Sequence, residues 1–313
     1  MKINLDNRIV WSFDFFKRLG LDISAEDLAF FVDKNEILHK KPVRGIKSEV
    51  IPTEFGIKMK TYIEPGVKIT YPVALCFGNI NHGGEHINEQ ELVVGDGAEV
   101  KIYTFALIGP NQTLRRKDIV TVKLGKNAKL ELYDIHYHDK TAEINFYAEL
   151  NAYLDEGAYF YNLLKVPEQK SGKFKTKFYG EVGKNATVTV EAKMKAVKGD
   201  DVVVEDVIKL VGEGAKGLSK SRIVALEGAK AEFIGEAYGE ASNTRCHIDC
   251  AEVVKGENIL LKNIPVLVSK NESAKLTHEA SIGKIDRKQL ETLMAKGLTE
   301  DEATEVVVNG MLR

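Results

Sequence analysis

Short segments in the middle of the chain alternate between apolar and polar residues. Residues 100–102, 130–132 and 188–190 each have an apolar side chain at both ends and a polar one between them, and residues 119–124 and 174–179 behave similarly. A period of two is typical of a β-strand, whose successive side chains point to opposite faces, whereas a helix repeats about every 3.6 residues. The pattern therefore predicts a series of short strands.

A turn signature recurs between these predicted strands. In each copy a Gly or Asn, which adopts the positive φ of a tight turn at little cost, precedes a small Ala. The copies end at Ala98, Ala128, Ala158, Ala186 and Ala215, with spacings of 30, 30, 28 and 29 residues, and a shortened copy ends at Ala229. A nearly constant period of this length indicates stacked structural repeats.

Each repeat reads as strand, turn and strand. Such a unit cannot bury its apolar face alone, so successive units must stack on one another. We predict a mainly β fold whose core, over residues 71–270, is a parallel β-helix in which each coil pairs with the coils on either side. An antiparallel sandwich with regular hairpins is the alternative. A sandwich, however, gives no reason for one turn signature to return at a nearly constant period.

The beginning of the chain has a different pattern. Phe13, Phe16 and Leu19 are spaced as one face of an amphipathic helix, and Ser24 is placed to cap a second helix that contains Leu28. Both features are signals of helix formation. We predict a mostly helical segment over residues 1–70 that closes the first coil, because an open end of stacked strands invites aggregation.

The end of the chain also reads as helical. Residues 286–294 combine a capping-box pattern with one apolar face, which are signals of an amphipathic helix. A second helical pattern follows, with Ala303, Val306 and Val307 expected to face inward. We predict that the segment 271–313 carries two antiparallel helices, which serve either as a cap or as a docking surface.

Composition narrows the class of protein. The 313 residues include 44 Lys and Arg against 46 Asp and Glu, and no basic stripe with interleaved aromatic residues is present, which argues against nucleic acid as a partner. The sequence shows neither a secretory signal pattern nor an apolar run long enough to cross a bilayer. Three cysteines are not a disulfide framework and fit a reducing compartment. We expect a cytoplasmic protein with no membrane partner.

Two of the cysteines lie close together in the sequence. Cys246 and Cys250 are four residues apart in a predicted strand. Their side chains would share one face but lie about 13 Å apart at about 3.3 Å per residue, too far for a disulfide or a shared mononuclear metal site. On a helix they would be neighbours. Free cysteines often serve only as buried packing residues, and this interpretation covers Cys76 and Cys246.

Histidines supply a second candidate site. His136 and His138 with Glu143 have the spacing of the HxH…E metal site of cupins. The glycines that flank that motif are absent, because positions 130 and 150 are both Leu. A cupin-like metalloenzyme that uses these three side chains is one alternative function. Phosphate-binding, dinucleotide-binding and hydrolase fingerprints do not occur in the sequence.

A third candidate lies near the C-terminus. Residues 275–285 read Lys-Leu-Thr-His-Glu-Ala-Ser-Ile-Gly-Lys-Ile and join the last predicted strand to the helices. His278 and Glu279 are adjacent ionisable residues within this segment. From the residues alone they are a turn histidine and a carboxylate at a helix start, a position that the helix dipole favours.

Residues 271–312 also resemble the C-terminal signature of the SufB/SufD family, the scaffold proteins of the Suf system for iron–sulfur cluster assembly. The similar motifs are residues 245–250, 274–285, 289–290, 297–298, 300–303 and 308–310. The resemblance implies a right-handed parallel β-helix with helical terminal regions. It also implies dimers formed through the β-helix, with ABC-type ATPase subunits carried on the C-terminal helices.

The resemblance further implies a cofactor site. In cluster-bearing members a cysteine at the position of Cys250 and a glutamate at that of Glu279 are implicated in the cluster site, and a histidine at that of His278 at the same dimer interface. Thiolate is the usual ligand of cluster iron, with imidazole and carboxylate less common. A transient iron–sulfur cluster would then be shared across a two-fold axis. The implied dimer is a homodimer or a SufB–SufD-type heterodimer.

The leading interpretation is a non-enzymatic scaffold that holds a nascent cluster through Cys250, His278 and Glu279. Its implied partners are a SufC-type ABC ATPase, a sulfur donor and recipient apoproteins. The combination of Cys250 with Glu279 favours a SufB-like, cluster-bearing role. A structural SufD-like partner that binds the ATPase and holds no cluster is the alternative, beside the cupin-like metalloenzyme.

Overall fold

A computed structural model describes residues 6–18, 20–21, 23–24, 26–166 and 170–312. Leu19, part of the apolar face predicted for the first helix, lies outside them. The described residues form the helices α1 (Asn7–Arg18), α2 (Arg287–Met294) and α3 (Glu300–Met311) and the strands β1 (Leu28–Asp33), β2 (Glu36–Lys40), β3 (Ile46–Pro52), β4 (Gly56–Ile63), β5 (Val73–Asn79), β6 (Gly84–Val94), β7 (Glu99–Ile108), β8 (Thr113–Leu124), β9 (Lys129–His138), β10 (Glu143–Leu154), β11 (Tyr159–Val166), β12 (Lys173–Val182), β13 (Thr187–Ala196), β14 (Asp201–Leu210), β15 (Lys216–Leu226), β16 (Lys230–Gly239), β17 (Arg245–Lys255), β18 (Leu260–Ser269) and β19 (Lys275–Lys284).

The strands stack into two largely parallel sheets that face each other across one core. From β5 to β19 every second strand lies in one sheet, here called the odd sheet, and from β4 to β18 every second strand lies in the even sheet. Within the odd sheet Glu99 lies beside Lys129, 30 positions later, and Tyr159 lies beside Thr187, 28 positions later. The sequence period is therefore the length of one coil. The predicted parallel β-helix is confirmed, with about eight coils.

The repeated signature forms one corner of each coil. Gly97, Asn127, Gly157 and Asn185 have φ values between 54° and 70°, and the N–H of each donates to a carbonyl of the next coil. The alanine after each is buried, because neighbouring coils leave little room there. The copy that ends at Ala229 is different: it lies between β15 and β16, at the opposite corner. It is therefore not a shortened version of the same turn, as the sequence suggested.

Inward side chains from both sheets fill the core. β13 buries every second residue, as the period of two predicts for a strand with one face against a core. Similar residues stack from coil to coil. Phe146 and Phe174 are register partners whose ring centroids lie 4.7 Å apart with planes within 4° of parallel. The core is thus built by repetition of like positions along the solenoid axis.

The N-terminal segment is not mostly helical, and this prediction was wrong. α1 confirms the first predicted helix, but Leu28 begins strand β1. Ser24 binds the Asp27 side chain through its N–H and hydroxyl and caps no helix. The six residues of β1 are all buried and pair with β5. A short run that is apolar at nearly every position is ambiguous between helix and strand, and pairing with the edge of β5 makes it a strand here.

The first helix also does not close the first coil. Phe15 and Phe16 of α1 pack against Tyr137 and Phe105 on the outer face of the odd sheet. Cys76 is buried in the same cluster. The coil end is instead finished by β2 and β3, which pair antiparallel with β1 and β4.

Two helices follow the last strand, as predicted, and each has a side-chain N-cap. α3 packs on the outer face of the odd sheet through Val308 and Leu312. Val306, expected to face inward, is 49% exposed, because a line of buried residues follows at intervals of four: Thr304, Val308 and Leu312.

None of the helices in the described part of the chain has the length and apolar character needed to span a bilayer.

Candidate functional site at the open end of the solenoid

Both sheets end on an unpaired edge at the C-terminal end of the solenoid. β19 pairs with β17, and β18 pairs with β16, and neither has another neighbour among the described strands. Most of β19 is exposed, including the apolar Ile282. An uncovered edge presents free N–H and C=O groups that can pair with another strand. We call this region the open end.

Cys250 lies one strand inside the open end, on the inner face of β17. Cys246, Ile248, Cys250 and Glu252 alternate inward along this strand and are buried, so both cysteines share one face as predicted. Burial raises the pKa of the Cys250 thiol to about 12, and a hydrogen bond with Asn263 partly opposes this effect. Without a bound cation, the thiol is therefore protonated at neutral pH.

His278 lies on the same inner face, in the neighbouring strand. It occupies the middle of β19, not the junction that the sequence suggested. Its register partner is Ile248, and Cys250 pairs with Ala280 two residues further along. With strands about 4.8 Å apart and two residues spanning about 6.6 Å, the Cα atoms of Cys250 and His278 lie about 8 Å apart. The two side chains can therefore approach one bound group.

Glu279 faces the other way. Its register partner is Asp249, which lies on the outer face of the odd sheet and forms an ion pair of 2.6 Å with Arg222. The hydrogen bond from the Arg222 guanidinium lowers the pKa of Asp249. Within one chain, then, the structure brings Cys250 and His278 together and leaves Glu279 on the opposite face.

Three further polar side chains lie near Cys250, and none was anticipated from the sequence. Ser221 is the register partner of Cys250 on β15, and Glu252 follows two residues along β17. Asn263 reaches in from the even sheet, where its Nδ2 donates to Glu252 Oε2 at 3.0 Å. Desolvation raises the pKa of the Glu252 carboxyl, with Asn263 opposing it.

One of these three residues carried a signal in the sequence. Glu252 continues the inward series Cys246, Ile248, Cys250, and a carboxylate at an inward position is rare unless it has a partner. Ser221 and Asn263 carried no comparable signal. They lie beside Cys250 only because of the strand register and because the two sheets face each other.

The histidine alternative does not assemble into a metal site. His136 and His138 are buried on the inner face of β9, with His136 Nδ1 3.3 Å from His138 Nε2, and both rings pack against Phe146. Glu143 is exposed at the start of β10 and does not join them. Across the described ranges, no group of three or more His, Cys, Asp and Glu side chains is placed to hold a metal ion.

Comparison with known proteins agrees with this architecture. A family model described as the SufBD core domain of the SUF system for FeS cluster assembly matches residues 80–311. The match covers most of the solenoid, the open end and both C-terminal helices. The chain therefore belongs to the SufBD family of iron–sulfur cluster assembly proteins, which confirms the resemblance seen in its C-terminal motifs.

Among individual relatives, archaeal proteins match over nearly the whole chain. An iron–sulfur cluster assembly SufBD family protein of Methanocaldococcus jannaschii is 33% identical over 281 residues, which cover 90% of this chain and 89% of the relative. One from Pyrococcus horikoshii is 30% identical over 302 residues, covering 96% and 92%. The iron–sulfur cluster assembly protein SufB of Bacillus subtilis is 30% identical over 94 residues, covering 29% and 20%.

Proposed function

We propose that this chain is a cytoplasmic scaffold, rather than an enzyme, on which a nascent iron–sulfur cluster is built at the open end. Cys250 supplies a thiolate and His278 the nearest imidazole of the same chain. Glu279, which lies on the opposite face of β19, becomes a further ligand only when a second chain pairs at the open end. The observation that carries the proposal is the pairing of β17 with β19, which puts Cys250 and His278 on one face beside an unpaired edge. Family membership supplies the chemistry, because SufBD proteins act in iron–sulfur cluster assembly.

The number of ligands supports a dimer. Protein-bound clusters are commonly held by four thiolates, and in one chain the proposed site has a single thiolate, Cys250, with the imidazole of His278. A two-fold axis beside β18 and β19 would bring two open ends together, and their free backbone groups could pair across it. The second chain would be another copy or a related SufD-like chain. Incomplete thiolate ligation would ease release of the cluster to recipient apoproteins, and an external donor would supply the sulfur.

The C-terminal helices suit the docking of a SufC-type ABC ATPase. α3 is held against the solenoid, where Lys255 Nζ donates to Thr304 Oγ1 at 2.6 Å. α2 has no buried residue, so its apolar Leu293 and Met294 remain accessible to a partner. An exposed apolar face on a firmly held support is typical of a protein contact. We therefore place the ATPase on α2.

Anaerobic reconstitution with ferrous iron and sulfide tests the cluster site. Wild type, Cys250→Ser and Cys76→Ser are compared by visible absorption and by iron and sulfide bound per chain. Cys76 is the matched control, because it is equally buried but lies under α1 at the other end of the solenoid. We expect Cys250→Ser to lose most of the cluster absorption and Cys76→Ser to retain it.

Two further variants test the assignment of faces. His278→Ala should reduce cluster yield more than Glu279→Gln, because only His278 shares the inner face with Cys250. Equal iron and absorption in wild type and Cys250→Ser would overturn the proposed site. A wild type that binds the ATPase but forms no cluster alone or with a related chain would leave the SufD-like structural role.

Docking of the ATPase is tested by binding measurements on two variants with matched exposure. Met294 on α2 is 41% exposed and Val306 on α3 is 49% exposed. We expect Met294→Asp to weaken binding of a purified SufC-type ATPase and Val306→Asp to leave it unchanged. The opposite ranking would move the docking surface to α3.

A further inference from the structure

Three buried oxygen atoms beside Cys250 have no hydrogen-bond partner. They are Ser221 Oγ, Glu252 Oε1 and Asn263 Oδ1, and no other buried side-chain nitrogen or oxygen in the described part of the chain is left unsatisfied. A buried polar atom without a partner costs about 1–3 kcal/mol. Burial raises the pKa of Glu252, and the Ser221 hydroxyl lies close enough to lower it in part but does not reach hydrogen-bond geometry. These three atoms in one place therefore point to a partner from outside the chain.

The three residues lie around one space at the inner face. Ser221 and Cys250 are register partners on neighbouring strands, and Glu252 is two residues further along β17. Asn263 approaches from the opposite sheet, with its amide nitrogen already bound to the other Glu252 oxygen at 3.0 Å. Ser221 and Glu252 are 0% and 1% exposed, so bulk water does not satisfy them.

The kind of missing partner follows from the donor set. The carboxylate oxygen of Glu252 and the amide oxygen of Asn263 can only accept a hydrogen bond, so their partner is a cation or a hydrogen-bond donor. A Glu252 carboxylate and a Cys250 thiolate together carry two negative charges, which one divalent ion balances. Oxygen ligands alone favour magnesium or calcium, whereas a mixture of sulfur and oxygen suits borderline transition metals.

We propose that Cys250, Glu252, Asn263 and Ser221 bind one divalent transition-metal ion of the ferrous type in the absence of sulfide. This inference rests on the proposed function in one respect, because both assign a ligand role to Cys250. It adds a step in which iron enters the inner face first and is held mainly by oxygen ligands. His278 and Glu279 take no part in this step.

Anaerobic titration with cobalt(II), without sulfide, tests the ion site. Cobalt stands in for ferrous iron, and its absorption reports a sulfur ligand. We expect wild type to bind about one ion per chain with a sulfur-to-cobalt charge-transfer band. Glu252→Gln keeps the side-chain shape and should weaken binding by at least about tenfold, as loss of groups at metal sites commonly does. Cys250→Ser should lose the charge-transfer band.

A control variant and a second test variant complete the experiment. Asp206→Asn removes another buried inward carboxyl, whose own hydrogen bond is to Ser219, and should bind cobalt like wild type. Asn263→Leu, at a half-buried position, should weaken binding in the same way as Glu252→Gln. Circular dichroism shows whether each variant folds. If Glu252→Gln does not fold, Asn263→Leu still tests the ion site.

The outcomes separate this inference from the proposed function. Cobalt binding that is absent in wild type, or equal in wild type and Glu252→Gln, overturns the ion site and leaves a buried water or a protonated Glu252 as the partner. If cluster reconstitution succeeds while cobalt binding is absent, only this inference fails. If cobalt binds as described while no cluster forms, the ion site stands and the cluster proposal fails.

Discussion

Replacing Asp206 should make the stability of the protein less sensitive to pH. Asp206 lies on the inner face of β14 and is 5% exposed, with one hydrogen bond of 2.7 Å from Ser219 Oγ. Desolvation raises the pKa of its carboxyl from an ordinary value of 3.8 to about 7, and the hydrogen bond from Ser219 opposes this only in part. Asp206→Asn keeps the shape and an acceptor for Ser219 but removes the charge.

The sign and size of the effect follow from proton linkage. Because the pKa of Asp206 is higher in the folded chain than in the unfolded chain, folding is most favourable at low pH, where both states are protonated. Stability is then lost as pH rises from about 4 to about 7. A pKa difference of about three units, at about 1.4 kcal/mol each, corresponds to about 4 kcal/mol. Asp206→Asn should abolish this loss.

Urea unfolding followed by circular dichroism measures the stability of both proteins at about pH 5 and about pH 8. Most of the titration of Asp206 lies between these two pH values. Transition midpoints are compared, because a solenoid need not unfold in one step. The variant should gain stability over wild type at the higher pH. Burial also raises the pKa values of Glu252 and Asp200. Their contribution to the pH dependence of stability is the same in wild type and variant, so it cancels in the comparison. Parallel pH profiles in the two proteins would refute this account.

Three further substitutions test the solenoid itself. Phe174→Ala removes one ring of the buried stack with Phe146 and should lower the free energy of unfolding by about 3–5 kcal/mol, measured in urea. Gly212→Ala would place a Cβ against the backbone nitrogen of Lys184 in the preceding coil and should lower the free energy of unfolding by about 1–3 kcal/mol, whereas an equal midpoint would contradict the close approach. Lys255→Met removes the ion pair with the first turn of α3 and should speed proteolysis of the C-terminal helices without a large change in midpoint.

The central fold was predictable because a solenoid repeats its local sequence pattern. The Gly or Asn before each marker alanine reports a positive φ, and Gly97 and Asn127 have it. Since every coil uses the same corner, five copies of one weak signal add up to a strong one. Ala229 was misassigned because the opposite corner uses a similar turn. The sequence does not distinguish two corners that meet the same steric requirement.

The N-terminal segment was not predictable in the same way. The run that begins at Leu28 is apolar at nearly every position, so it has no period to read. Its structure depends on β5 below it and on the α1 side chains Phe15 and Phe16 around it. Ser24 gave a genuine local capping signal, and tertiary pairing of the next residues overrode it.

The sequence supplied candidate site residues, which stay a prediction, but not their arrangement in space. Family motifs pointed to Cys250, His278 and Glu279, and alternation within β17 correctly placed both of its cysteines on one face. The relation between strands depends on register, which sequence does not supply. A register of 30 residues pairs Cys250 with Ala280, so that His278, two residues before Ala280, shares the face of Cys250 and Glu279 does not. Asn263 comes from the other sheet and could be found only in three dimensions.

The distribution of polar groups along the solenoid favours a functional site at its C-terminal end. Deep inside, Arg116 and Asp118 satisfy one another through an ion pair of 2.8 Å, so that region needs no ligand. Unsatisfied oxygens occur within the described chain only beside Cys250, one strand from an unpaired edge. If a second chain pairs with that edge, as the proposed function expects, it would also cover the side of this space that lies beside β18 and β19. On the proposed function, we therefore expect iron to enter before the two open ends pair and the product to leave when the chains separate.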